Sequence, residues 1–280
     1  MFIAVNTRRH TMNVRTSRLL STAGAAVMMA LCAQTPSALA QESTSRTAAP
    51  PSGTTVKGTV DPLALEALKS MGNYLNTLQN FELHATASAQ TGLGDMDLQV
   101  HIGYESTYRV QRPNKFYVEL KSDRTIRQYF YDGKTFTINV PRQNYHSTVA
   151  APSTIAQMIR VADVDYGISL PLIDLFTWAE DPGLDGIETV IRVGFAKING
   201  RETDHFAYRG PDLDWQLWIA RGEVPVPLKI VITDRTDTLR PSYQAELTWN
   251  TSPQLTARDF AFTPDAQSTP IKIAKNTEEK

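Results

Sequence analysis

The longest run of strict alternation in the chain does most to limit its fold. Met96, Leu98, Val100, Ile102, Tyr104, Tyr108 and Val110 share one parity, broken only by Ser106. Successive side chains of a strand point to opposite faces, so a period of two with one apolar side means a strand with one face buried. A strand of this length must coil or bend, and Gly103 is a place to do so. Phe81, Leu83, Ala85, Ala87 and Ala89 alternate in the same way before it, and Phe116, Val118 and Leu120 after it.

Turn signals join such runs. Asp132-Gly133 stands between two alternating segments, and Asn199-Gly200 separates 191–198 from 201–208. Both pairs supply the positive φ that tight hairpins need. Trp215, Leu217 and Ile219 mark a further strand, as do Leu228, Ile230 and Ile232, and then Tyr243, Ala245, Leu247 and Trp249. Phe260 and Phe262 begin a last short one that stops at Pro264. Roughly ten or eleven strands result, too many for a flat open sheet. The expected fold is mainly β (α+β), a strongly curved, incompletely closed antiparallel barrel.

Three segments carry a helical period instead. Asp61-Pro62 offers an N-cap and a proline at the first helical position, followed by the stripe Ala64, Leu68, Met71, Leu75 and Leu78. Ile155, Met158, Ile159 and Ala162 form a second stripe. A short helix near Pro171 carries Leu172, Leu175 and Phe176, with Trp178 after it. These last two interrupt an otherwise all-strand chain, where a lid or plug over one sheet face is expected.

The N-terminus reads as an export signal. Arg8, Arg9, Arg15 and Arg18 precede a short apolar run over 19–33, and Ala38-Leu39-Ala40 fits a small-x-small cleavage site. Residues 1–40 are expected to be cleaved, 41–60 to be a disordered tether, 61–273 a single domain and 274–280 a polar tail. The apolar run falls short of the roughly 20 residues a membrane span needs, so no stable insertion is expected after cleavage. Cys32, the one cysteine, lies in the leader, so the mature chain has neither disulfide nor thiol chemistry. The formal net charge of -1 argues against a nucleic-acid partner, which needs a basic face.

Motifs for catalysis are absent from the sequence. Gly167-Ile168-Ser169-Leu170-Pro171 lacks the second glycine of a nucleophile elbow, and neither paired Cys/His ligands nor a Gly-rich phosphate loop occurs. The expectation is a protein that is not an enzyme and holds no cofactor and no metal. His84 and His101 lie on strands that could bring them together as a metal pair, although exposed strand histidines are the weightier reading. Asp212 and Asp214 read as solvated loop carboxylates.

Two features suggest binding. A large curved sheet with helical inserts can enclose a ligand cavity. The reading in which Met158, Ile159, Phe176 and Trp178 complete a dry core carries equal weight. Arg112 stands between two strands, just before Pro113, with the parity of the apolar row. Its side chain is either an exposed strand-end cation or an inward arginine that hydrogen-bonds the lid or a ligand head group.

The segments Gln111-Arg112-Pro113-Asn114-Lys115-Phe116, Tyr131-Asp132-Gly133-Lys134-Thr135-Phe136 and Asp259-Phe260-Ala261-Phe262-Thr263-Pro264 resemble, in that order, islands of the periplasmic lipoprotein carriers (LolA-like). Segments such as Pro171-Leu172-Ile173-Asp174-Leu175-Phe176 are more similar to an uncharacterised family of bacterial periplasmic proteins that shares the predicted fold. The resemblance implies an unclosed barrel, a helical lid, and an apolar cavity for acyl chains. It implies that Arg112 holds the lid, with Met158, Ile159, Leu172, Phe176 and Trp178 as ligand or lid residues. Leu98, Val100, Ile102 and Tyr104 are then candidates for the cavity wall. The lid sequence departs from that of the carriers, which leaves the cargo open. The expected function is a soluble periplasmic monomer that binds an acyl chain, lipid or lipoprotein, as a carrier. The alternatives are an envelope sensing module that binds a protein or lipid signal, and a structural envelope protein with a filled core.

Overall fold

Strands β1 (Asn80–Gly92) and β2 (Gln99–Gln111) form the ladder from which the sheet is built, each 13 residues long. Every residue of β1 has a partner in β2, from Asn80 opposite Gln111 to Gly92 opposite Gln99. The computed structural model describes residues 58–92, 98–176 and 186–276. The expected leader and most of the expected tether, together with Met96, Trp178 and the end of the tail, lie outside the described residues.

From β2 the sheet runs as a meander through β3 (Lys115–Lys121), β4 (Ile126–Tyr131), β5 (Thr135–Val140) and β6 (Tyr145–Ala150). On the other side of β1 lies β11 (Ser242–Asn250), followed by β10 (Pro227–Asp234), β9 (Leu213–Ala220), β8 (Arg201–Arg209) and β7 (Thr189–Ile198). The two-residue β12 (Thr269–Pro270) pairs in parallel with β6, and every other pair is antiparallel. The sheet therefore has twelve strands, one or two more than the sequence pattern counts. It is an open curved barrel whose edges, β12 and β7, do not meet.

The hairpin signals act locally as their chemistry requires. Asn199 and Gly200 both have positive φ, 49° and 78°, which suits the two-residue turn between β7 and β8. The Asp132 carboxylate accepts from the backbone N–H groups of Lys134 and Thr135 at 2.8 and 2.7 Å, closing the β4–β5 turn.

One face of the sheet is covered by helix. In α1 (Pro62–Thr77) Ala64, Leu68, Met71 and Leu75 are buried, and the Asp61 carboxylate caps the helix by accepting from Leu63 N–H at 2.9 Å. In α2 (Ile155–Tyr166) Ile155, Met158 and Ala162 are buried, Thr154 caps the start, and Gly167 ends the helix at φ 64°. A 3-10 turn at Ile173–Phe176 completes the cover. All three join the sheet residues in one hydrophobic core.

Two expectations are corrected, at Phe260 and at Asp214. The ladder passes through Gly103, opposite Ser88, without a register shift; the shifts fall at Arg192/Gly194 and Pro227/Lys229 instead. The segment with Phe260 is a 3-10 turn, Ala257–Phe260, because the Asp259 carboxylate accepts from Thr256 N–H and Oγ1 at 2.7 and 2.9 Å and winds the chain. His84 and His101 do not meet and are both exposed, which is the weightier of the two readings. They face Thr107 and Gln90, six residues apart along β1, or about 20 Å. His84 bonds Thr107 and Glu82, and His101 bonds Ser88. Finally, Asp214 lies in β9, not in a loop, and is held by Arg209 at 2.7 Å and Arg240 at 2.8 Å, with Arg235 at 3.8 Å.

Partial burial raises the pKa of Asp214, but its bonds to Arg209 and the charges of Arg209, Arg235 and Arg240 outweigh this and leave the carboxyl below its ordinary value. The folded state thus favours the charged form. That stabilisation is complete above the unfolded carboxylate value and is lost as pH falls through the depressed folded one. Asp214→Asn is expected to flatten the acid limb of stability below about pH 4 and leave its shape near neutrality unchanged, as read from urea midpoints across pH.

Candidate functional site

Arg112 lies in the turn between β2 and β3, where three segments converge. Its Nε donates to the Leu78 carbonyl oxygen at 3.0 Å and its Nη2 to the Phe176 carbonyl oxygen at 2.6 Å. Its backbone N–H donates to Gln79 at 2.8 Å. Leu78 caps the C-terminus of α1, and Phe176 ends the 3-10 turn. One guanidinium therefore binds the helix end, the sheet and the lid segment. The planar fork of arginine, with several N–H groups in fixed directions, is suited to two acceptors at once. This geometry sets Arg112 apart from a strand-end cation in water: its guanidinium is bound to backbone oxygens of the helix end and the 3-10 turn.

The lid segment has further anchors. Tyr108 Oη donates to the Pro171 carbonyl oxygen at 2.6 Å, and Tyr131 Oη to that of Pro152 at 2.7 Å. Burial raises the pKa of both hydroxyls, so they remain donors at neutral pH. The Ile155 N–H donates to Pro113 at 3.1 Å, which starts α2 against the same turn that carries Arg112. The Phe176 ring meets Phe81 and Tyr108 edge-on, with centroids 5.3 and 5.5 Å away. Between these anchors Leu172 has φ 59°, in the left-handed region, which costs a residue with a Cβ about 1 kcal/mol.

The sequence-derived residues thus fall into two groups. Arg112, Met158, Leu172 and Phe176 come together at the lid, the last three fully covered, with Ile159 partly buried beside them. Trp178 lies outside the described residues. The four wall candidates stand apart from this cluster. They continue the row of Tyr108 and Val110 along β2, but within that strand full burial ends at Ser106: Tyr104 is 37% exposed, Leu98 is 51% exposed, and Val100 and Ile102 are half-buried, while Ala87, Ala245 and Tyr243 beside them remain buried. They line an open shelf rather than an enclosed wall. The reason is one of length. The β1–β2 ladder runs past the end of β3, whose last pair is Glu105 with Lys121.

Strand register defines the shelf. Residues directly opposite one another share a face. Leu247, Ala85, Ser106, Leu120 and Arg127 are successive partners across β11, β1, β2, β3 and β4. One step further out lie Ala245, Ala87 and Tyr104, then Tyr243, Ala89 and Ile102. The rows beside β2 are therefore mostly small side chains, of which Ala85, Ala87 and Ala245, with Tyr243, belong to the buried core. The opposite face carries a polar groove of about 410 Å³, lined by His84, Thr86, Thr107, Glu246, Thr248 and Asn199 among others. Its carboxylates are answered by neighbours: Glu105 by Lys121 at 3.0 Å and Glu246 by Lys229 at 3.4 Å. No three His, Cys, Asp or Glu side chains converge as a metal site among the described residues.

The sequence reading did not single out Tyr108 and Tyr131 as lid anchors. The available signal was a tyrosine on buried parity, since a buried hydroxyl needs a partner.

A family model described as a predicted periplasmic protein matches residues 64–274. No curated protein matches the chain. Among solved structures, the chain is similar to LprF from Mycobacterium bovis at 13% identity and TM-score 0.43, covering 76% of this chain and 100% of that one. It is similar to the MucA/MucB complex of Pseudomonas aeruginosa at 16% identity and TM-score 0.39, covering 68% and 58%. The LolA superfamily protein NE2245 from Nitrosomonas europaea matches at 8% identity and TM-score 0.32, covering 71% and 97%.

Removing the guanidinium leaves two carbonyl oxygens without their charged donor. Arg112→Leu is expected to cost about 2 kcal/mol in urea unfolding, and Arg112→Lys to recover only part of it, because an ammonium cannot reproduce the fork.

Proposed function

The chain belongs to the DUF2092 family of predicted periplasmic proteins, and from that premise we propose that it binds a hydrophobic ligand in the periplasm. The ligand is an acyl chain, free or as part of a lipid or lipoprotein. It lies on the concave face of the sheet, along the shelf from Leu120 and Tyr104 to Leu98, and reaches under the lid when the lid moves. The role is binding and carriage rather than catalysis, and the chain reaches its compartment through a leader cleaved after Ala40.

One observation carries this reading. The apolar row of β2 passes from complete burial at Tyr108 and Val110 to open exposure at Tyr104 and Leu98 on the same face, with no break in the ladder. An apolar surface that continues the core into solvent marks a binding site. The lid that separates the two halves of the row is attached at backbone carbonyls by Arg112 and Tyr108. Such bonds can be exchanged for water or ligand without unfolding the sheet. The energetic need is large, since each methylene is worth about 0.8 kcal/mol, so a sixteen-carbon chain costs on the order of 12 kcal/mol to hold in water. A lid whose position is set by a few kcal/mol can be shifted by a ligand that binds one state better.

Displacement of a bound hydrophobic dye by palmitate tests the proposal. The protein is expected to bind the dye and release it to palmitate, and Arg112→Leu to keep the fold while changing palmitate affinity several-fold. A protein that takes up neither dye nor palmitate would overturn the reading. An isotherm left unchanged in Arg112→Leu would remove the latch role alone.

A further inference from the structure

The shelf is apolar except at one end. Arg127 is the β4 member of the row Ala85, Ser106, Leu120 and Arg127, so its side chain belongs to the concave face of the sheet. The neighbouring rows fix the same parity independently, since Tyr129 and Tyr131 of β4 are buried on that face. Arg127 itself is exposed. It forms no ion pair with a carboxylate among the described residues, whereas Arg109, Arg192, Arg209, Arg221, Arg235 and Arg240 each do. Its recorded partner is the neutral hydroxyl of Tyr129.

We propose that Arg127 is the head-group subsite of the shelf and that the ligand is an amphiphile with a single negative head, a carboxylate or a phosphate. This rests on the acyl-binding reading above and names the class of ligand. The head sits on the guanidinium of Arg127, with Tyr129 Oη beside it. The acyl chain crosses Leu120 and then follows Tyr104, Ile102, Val100 and Leu98 along β2. Val100 to Ser106 alone spans about 20 Å of strand, enough to carry a long chain extended.

Charge complementarity selects this occupant. A cation beside an apolar surface gains little from an uncharged ester, which it meets as one weak acceptor. It gains a paired, hydrogen-bonded charge from a carboxylate or phosphate, for which the guanidinium fork is shaped. Tyr129 adds a neutral donor, held protonated because burial raises its pKa. The other cation tied to the lid, Arg112, is committed to the carbonyl oxygens of Leu78 and Phe176. The two arginines therefore have separate tasks at two ends of one face.

Binding of palmitate, lysophosphatidylglycerol and methyl palmitate to the full mature protein, by dye displacement, tests this. Both anions are expected to bind about tenfold more tightly than the methyl ester. Arg127→Gln should abolish that preference and leave methyl ester affinity unchanged, while Arg127→Lys retains part of the preference. The residue is exposed, so thermal melts of both variants should match the parent. Preference for palmitate alone would make the head a carboxylate, and preference for the lysophospholipid alone a phosphate. Equal binding of anions and ester by the parent would overturn the head-group subsite while leaving the acyl site intact. An unchanged preference in Arg127→Gln would overturn it too. Failure of all three to bind would sink the acyl-binding reading itself.

Discussion

Coverage of the sheet is the constraint from which the rest of this structure follows. A twelve-stranded sheet has two faces, and the apolar one must be shielded by 16 residues of α1, 12 of α2 and a four-residue 3-10 turn. Curling brings the concave side chains toward one another and reduces the area to be covered. The helices then occupy one end of the concavity, over Phe81, Tyr108, Val110 and Phe116, all of them buried. The β1–β2 ladder extends past that cover. The exposed apolar row at Leu98 and Tyr104 is thus a consequence of the lengths of the elements.

The cover itself is fastened by polar groups. Backbone carbonyls at Pro171 and Phe176 meet donors from the sheet, and the rings of Phe81, Tyr108 and Phe176 fill the space between. Hydrogen bonds of this type contribute modestly net of water, yet they are directional. They fix where the lid sits, while the apolar contacts supply the larger share of the energy. A segment held in that way has a defined position, and it carries a left-handed backbone at Leu172.

Most of the sheet was legible because alternation and turn chemistry are local. The hairpins at Asp132-Gly133 and Asn199-Gly200, the α1 cap at Asp61 and the stripe of α2 all follow from residues within a few positions of each other. What was not legible depended on partners distant in sequence. β4 shows the difficulty: Ile126, Gln128 and Phe130 compete with Arg127, Tyr129 and Tyr131 for the buried face, and hydrophobicity alone does not choose. Register does, because Tyr129 and Tyr131 pair with Val118 and Phe116, which are buried. Arg127 was overlooked for the same reason. For Arg112, parity favoured an inward side chain without deciding it, since its acceptors at Leu78 and Phe176 lie 34 and 64 residues away. The extent of the lid over β2 was equally invisible: a row of one parity reads alike whether a helix covers it or not.

The candidate site therefore differs from a closed cavity in a way that bears on mechanism. In an enclosed pocket an acyl chain must wait for the lid to open before any of its methylenes leave water. Under the proposed acyl-binding function, the exposed stretch from Tyr104 to Leu98 would offer a first foothold with the lid still shut. A chain that landed there would gain part of its burial energy at once, and would advance toward Tyr108 only by displacing the lid. Arg112 would contribute to the cost of that second step, since one of its bonds holds Phe176 of the segment that stands in the way. Loading would then be two steps on one continuous face, the first set by exposed area and the second by the apolar contacts and hydrogen bonds of the lid. The second is the step that separates a ligand long enough to repay the displacement from one that rests on the shelf alone.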